Sequence, residues 1–397
     1  METSVTSTSE AFLASVYRTA DGERLRRCLQ CGTCSGVCPY GYIMDFPPSR
    51  MITVLRAGEF DQVLASDTVW MCLSCYACAQ VCPAQIPLTS GLMTRAKEEL
   101  LLAGKVPTEL QQALENSQRY GNVLGQSPRK RHDWAKGLTP PVPVLGKDKA
   151  SADFLWFVGD YPSYHARMQS VSRALAKVLS RLGADFGILG PDEVSDGDSQ
   201  RLAGERGLFE MLATKNGQAF RKHKFGAILT SDPHAYNSLK NEYPALGISY
   251  PVLHHSEFLA QWLDQLRPLL TREAKARVAF HDPCYLGRVN GIYDEPRAVL
   301  GAIPGVELVE MAHTRSNSLC CGGGGGGMWL DGFQWEKARA RTSEWRVQEA
   351  VAAGADILAV ACPYEPIRFE DATKTVPGAG QLVVKDIVEL LAEAMAD

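Results

Sequence analysis

From residue 151 to the C-terminus, apolar runs of strand length alternate with segments whose apolar positions recur at helical spacing, and the alternation is written twice. "FVGDYPSYHAR" (157–167) resembles "FHDPCYLGR" (280–288), each an apolar strand that ends in a turn. "EVSDGD" (193–198) resembles "SLCCGG" (318–323), "ILTSDPHA" (228–235) resembles "LAVACPYE" (358–365), and "YPVLHHSEFLAQWL" resembles "QLVVKDIVELLAEA". Amphipathic stretches such as "SVSRALAKVLSRLG" and "WRVQEAVAAGA" fall between the strands. This order predicts a duplicated α/β domain on largely parallel sheets, with copies at 151–270 and 271–397 and the special residues at the ends of strands.

The first hundred residues read differently. Met51, Ile52, Leu55, Phe60, Val63 and Leu64 suit short amphipathic helices, and "SGLMTRAKEELLLAG" reads as a helix capped by serine and ended by glycine. A mostly helical domain is expected over 1–105. Between 106 and 150 the pattern weakens into a proline-bearing linker, whose basic knot "RKRHDW" (129–134) is expected to be solvated, the alternative being that it meets an acidic partner.

Composition narrows the class. A chain of 397 residues with 45% hydrophobic content buries a sizeable core, and a net charge of -4 gives no basic footprint for nucleic acid. There is no apolar run of membrane-spanning length and no basic leader before an apolar stretch, so a cytoplasmic protein is expected, peripheral to a membrane only through a partner.

Cysteine spacing carries the chemistry. Cys28, Cys31, Cys34, Cys38-Pro39 and Cys72, Cys75, Cys78, Cys82-Pro83 both read C-x2-C-x2-C-x3-C-P. Three thiolates at this spacing wrap one face of a cubane, and the cysteine before proline ligates the other cluster. The expected sets are Cys28, Cys31, Cys34 and Cys82 for one 4Fe-4S cubane, and Cys72, Cys75, Cys78 and Cys38 for a second. Structural zinc has no use for the third cysteine and the C-P step of each run. The second α/β copy adds Cys284, Cys320, Cys321 and Cys362 in a C-x35-CC-x40-C array, with six glycines at 322–327. The first copy has Asp160, Ser195, Asp196 and Asp232 at the matching positions. A dinucleotide reading of the glycines is weak, because they follow a cysteine pair rather than a strand. Their expected role is to bring backbone N–H groups close to cluster sulfurs.

On these motifs the chain resembles the heterodisulfide reductases. The second copy is similar to the cysteine-rich CCG domain of their B-type subunits, and "CLQCGTCSGVCP" with "WMCLSCYACAQVCP" is similar to their C-type subunit. The fused order resembles the D-type subunit and related iron-sulfur oxidoreductases. The resemblance implies an α+β multidomain chain: a helical ferredoxin-like domain with two 4Fe-4S clusters, then the duplicated CCG domain with a further 4Fe-4S-type cluster, cubane or noncubane. Two departures matter. The first copy lacks every thiolate, and oxygen is a poor ligand for a sulfide-rich core, so that copy is expected to be empty. Glu365 stands where the family's CxxC ends, leaving four thiolates where the family offers five.

The resemblance implies electron flow through the cubanes to the CCG cluster, for reduction of a disulfide-like substrate or the reverse oxidation of thiols. The alternative is a non-catalytic relay between a flavoprotein and a quinone- or haem-linked membrane subunit, within a multi-subunit complex. In the first case Cys284, Cys320, Cys321, Cys362 and Glu365 form the reacting centre. His281 either donates a proton there or satisfies its own turn. Arg288 and Asn290 are candidates to meet an anionic substrate, while His234, His254 and His255 are expected to be packing or surface residues of the cysteine-free copy rather than ligands.

Overall fold

The structure is a computed structural model that describes residues 6–332 and 336–395. The chain divides into two compact units, one formed by residues 1–111, 199–206 and 322–342, the other by 112–198, 207–321 and 343–397.

The larger unit holds two four-stranded parallel sheets. The first comprises β1 (Ser151–Phe157), β2 (Phe186–Gly187), β3 (Lys224–Thr230) and β4 (Val252–His254), in the order β2-β1-β3-β4. The second comprises β5 (Ala276–Phe280), β6 (Val306–Val309), β7 (Ile357–Val360) and β8 (Val383–Asp386), in the order β6-β5-β7-β8. The two orders are the same, so the internal repeat is a repeat of topology. The central strands become fully buried toward their C-terminal ends, as at Leu155, Trp156 and Phe157 or Val278 and Ala279. Burying each large apolar side chain stabilises by about 1.5–3 kcal/mol, and this fixes which ends of the strands sit deepest. The copies even share their last cap: His254 and Asp386 each close a capping box, with Glu257 and Glu389, on the helices His255–Gln261 and Ile387–Ala394. Arg167 of the first copy pairs with Glu389 of the second at 2.7 Å, tying the copies together.

The segment expected as a linker is, from residue 112 on, built into this unit instead. It carries the helix Thr108–Tyr120, and its basic knot is only half solvated: Arg129 and Lys130 are exposed, but Arg131 is 2% exposed, and Trp134 packs edge-on against Trp156 with ring centroids 5.1 Å apart. Two carboxylates of the first copy, Asp160 and Glu193, draw the arginine in.

The smaller unit is helical, as expected. The helix Pro48–Arg56 buries Met51, Ile52 and Leu55, and Phe60 and Val63 follow into the same core. The helix over 89–102 starts with a π-helical turn at Thr89, and Ser90 does not cap it. Its hydroxyl donates to Asp21 at 2.6 Å, a partner too far along the chain for a capping pattern to reveal.

Candidate iron-sulfur sites

In the smaller unit the two cysteine runs fold alike. Each places left-handed residues on both sides of its middle cysteine: Gln30 (φ 55°) and Gly32 (φ 80°) around Cys31, Ser74 (φ 51°) and Tyr76 (φ 61°) around Cys75. For a non-glycine residue this conformation costs about 1–2 kcal/mol, and such strain gathers where a backbone must wrap a ligand. Short helices, Thr33–Val37 and Ala77–Gln80, carry the third cysteine of each run.

The wrapped loops exchange their last cysteines. Cys28, Cys31, Cys34 and Cys82 line one cavity, together with Cys78, and Cys38, Cys72, Cys75 and Cys78 line a second. The thiols crowd enough to oppose one another's ionisation. Burial, then the neighbouring Cys28 and Cys82, raises Cys34; burial, then Cys75, pushes Cys38 up to about 12; and burial with Cys75, Cys72 and Cys38 raises Cys78 well above an ordinary thiol. Buried thiolates this close are stable together only around a cation, so the donor sets fit iron-sulfur clusters. Cys31, at the surface, is lowered by hydrogen bonds from Thr33.

In the larger unit, Cys284, Cys320, Cys321 and Cys362 are all buried beyond the ends of β5, β6 and β7. A hydrogen bond from Cys320 lowers the Cys284 thiol against the effect of burial, with Arg288 helping. Burial, then Glu365, Asp232 and Cys321, raises Cys362. The four thiols therefore share one neighbourhood, and they are again a set that a cluster would compensate.

His281 and Glu365 lie beside them. His281 Nε2 is 3.2 Å from Glu365 Oε1, and one ligand atom each of His281, Cys321 and Glu365 falls within 4.8 Å of the others. Arg346 Nε donates to His281 Nδ1 at 2.9 Å. A guanidinium only donates, so Nδ1 accepts and the ring proton sits on Nε2, facing Glu365 and Cys321. Glu365 Oε2 accepts from the Ala361 N–H at 3.2 Å, and burial, opposed by His281, pushes the carboxyl up to about 7. The remaining polar candidates hold loops. Arg288 donates to the Ser318 carbonyl at 2.6 Å, and Asn290 donates to the Tyr285 carbonyl at 2.7 Å. The turn bearing Cys284 is fixed by Asp282, which takes two bonds from Arg297 at 2.6 and 3.0 Å.

At the strand ends of the first copy, an ion-pair network takes in Asp160, one of the positions that match the cysteines. Arg131 reaches Asp160 at 2.8 Å and Glu193 at 3.0 Å, and all three are buried. Glu193 also accepts from the Val158 and Gly159 N–H groups, and Asp160 accepts from that of Val123. Asp196 accepts from the Asp198 N–H and Asp232 from the His234 N–H. These oxygens are committed to the protein itself.

His234 is more than a packing residue of its own copy. Its Nδ1 lies 2.7 Å from Asp198 Oδ2, and its ring stands 4.2 Å from that of Tyr285 and 5.0 Å from that of Tyr364, the aromatics next to Cys284 and Cys362. Burial alone would lower this histidine, but the hydrogen bond and charge of Asp198, then Asp232 and Cys284, lift it to about 10. Only the alignment of "DPHA" with "CPYE" hinted that it would sit at a strand end. By contrast, His254 and His255 are buried and neutral, lowered by desolvation.

Residues 24–86 match the 4Fe-4S dicluster domain, and residues 278–364 match the cysteine-rich domain. The chain is 34% identical over 397 residues to a probable iron-sulfur-binding oxidoreductase of Bacillus subtilis, covering 98% of this chain and 54% of that one. It is 31% identical over 342 residues to the EtfAB:quinone oxidoreductase of Syntrophomonas wolfei, covering 84% and 47%. It is also 31% identical over 336 residues to the D-type subunit of the dihydromethanophenazine:CoB--CoM heterodisulfide reductase of Methanosarcina mazei, covering 83% and 78%. The chain thus spans about half the length of the first two relatives. Among the described residues no helix is long and apolar enough to cross a membrane.

Proposed function

Because the chain belongs to the family of heterodisulfide reductase D-type subunits and related iron-sulfur oxidoreductases, we propose that it is the electron carrier of a larger redox complex. In this reading Cys28, Cys31, Cys34 and Cys82 hold one cubane, Cys38, Cys72, Cys75 and Cys78 a second, and Cys284, Cys320, Cys321 and Cys362 a third four-iron cluster. When bound, such clusters take up and release electrons singly. The protein's own contribution is to keep the third site dry and to balance its charge. His234, favoured as a cation by Asp198, Asp232 and Cys284, packs against Tyr285 and Tyr364, and the Nε2–H of His281 faces Cys321 and Glu365.

The observation that carries this reading is the closure of that site. All four cysteines are at most 7% exposed, and Glu365, in the position of the family's fifth cysteine, is 1% exposed and held by His281 and Ala361. This suits electron exchange with partner proteins better than entry of a bulky substrate. A flavoprotein on one side and a quinone- or haem-linked membrane subunit on the other are the partners this implies, with the chain on the cytoplasmic face. The Syntrophomonas relative is an EtfAB:quinone oxidoreductase, which supports the same choice.

The second reading is disulfide chemistry, in which RSSR takes two electrons and two protons to give two thiols. It is favoured by the buried His281 Nε2–H, a proton donor that faces Cys321 and Glu365. Spectroscopy of the anaerobic protein separates the two. A relay leaves the spectrum of the oxidised protein unchanged on adding a thiol or disulfide, whereas a new paramagnetic state would establish the enzyme.

A further inference from the structure

Lys97, on the helix Thr94–Leu102 of the smaller unit, is fully buried. Its Nζ donates to the Cys72 carbonyl at 3.2 Å and to the Gly325 carbonyl at 2.6 Å, and lies 5.7 Å from the centroid of the Trp70 ring. Among the described residues it has no carboxylate partner. Two carbonyl dipoles and a ring face do not balance an ammonium removed from water, because buried charges persist only when they are paired. The missing counter-charge has a source in the same place. Four thiolates around a cubane outweigh the charge of its core and leave the site net negative.

The contact is built rather than incidental. Gly325 has φ +61°, and a Cβ there would stand 2.6 Å from the Cys72 carbonyl oxygen and 2.7 Å from Ser74 Oγ. Glycine lets the two backbone turns meet, and their two carbonyl oxygens, which would repel each other, converge on one ammonium. The other cysteine run supplies a contrast. There the first cysteine's carbonyl, Cys28 O, also accepts from a cation, Arg56 at 3.2 Å, but this arginine is exposed and its field is screened by water.

We propose that Lys97 is the potential-setting and positioning residue of the Cys38, Cys72, Cys75 and Cys78 site, its ammonium serving as the buried counter-charge that holds the cluster loop against the glycine run and favours the reduced state. This rests on the cluster assignment proposed above. It follows that the second cubane has the higher potential of the two, so that an electron shared between them resides on the Cys72 side.

The test is a potentiometric titration of anaerobic holoprotein followed by electron paramagnetic resonance, with iron counted in each sample. In Lys97→Met the midpoint of the second cubane should fall relative to the first by at least about tenfold in the equilibrium constant between them, about 59 mV. Lys97→Arg should restore most of the difference. If Lys97→Met fails to hold the second cluster while Lys97→Arg holds it, the need for the charge is equally established. The inference is overturned if Lys97→Met keeps full iron and unshifted midpoints, if both midpoints fall together, or if the arginine variant behaves like the methionine one. Wild-type protein lacking the second cubane would instead remove the cluster assignment, and this inference with it.

Discussion

The two copies of the α/β domain share strand order, parallel register and capping boxes, yet at the ends of those strands they differ in every reactive group. In the second copy four thiols converge, a donor set whose ionised form a metal cluster would neutralise. In the first, Asp160, Ser195, Asp196 and Asp232 stand at the matching places, and an arginine from outside the repeat joins Asp160 to the neighbouring Glu193. The sheet thus depends on its apolar pattern, while the strand ends are free to change. A repeat that loses its ligands must still fill the space with paired charge, because an unpaired buried carboxylate would cost more than the repeat can supply.

The sharpest way to break this comparison is to remove the filler. Asp160→Ala should destabilise the larger unit by about 3–5 kcal/mol, since it leaves Arg131 short of a partner in a dry site, and it should leave the iron content unchanged. Anaerobic chemical denaturation and an iron count measure the two outcomes. Loss of about four irons would show that the first copy is itself a metal site.

Next in size is the pair at the boundary of the copies. His234 is raised in the folded state to about 10, so the stability it contributes is fully present below the unfolded histidine's pKa of about 6.5 and is lost as pH rises through about 10. Asp198→Asn should flatten that part of the stability–pH curve. An unchanged slope between these limits would mean that His234 is not held as a cation.

Glu365 gives the smallest effect. Glu365→Ala should keep all iron and raise the potential of the third cluster by less than about tenfold in equilibrium constant, about 59 mV, because removing a nearby negative charge favours the reduced form. Glu365→Cys rebuilds the family's CxxC and should move the spectrum toward that of a five-thiolate site. Iron loss in the alanine variant would make the carboxylate a ligand.

Much of this was legible in the chain itself. Apolar strand-length runs followed by helical spacing revealed both sheets, and the C-P runs paired Cys82 with the first loop and Cys38 with the second without any geometry. Arg131 was not legible. A basic run among prolines reads as solvated, and its partners Asp160 and Glu193 lie 29 and 62 residues away. His234 looked like a packing residue because its neighbours Tyr285 and Tyr364 come from the other copy. Lys97 sits in an ordinary amphipathic helix, and only the convergence of Cys72 and Gly325, 228 residues beyond Lys97, shows what it does. Long-range pairing of charge leaves no local period to read.

The number of irons bound per chain tests all three sites most directly. Protein purified and reconstituted without oxygen should hold about twelve irons with a matching quantity of acid-labile sulfide, four for each cubane site and four for the cysteine-bearing copy. About eight would leave the array of Cys284, Cys320, Cys321 and Cys362 without a cluster, about sixteen would place one in the first copy as well, and zinc in place of iron would contradict the reading of all three sites.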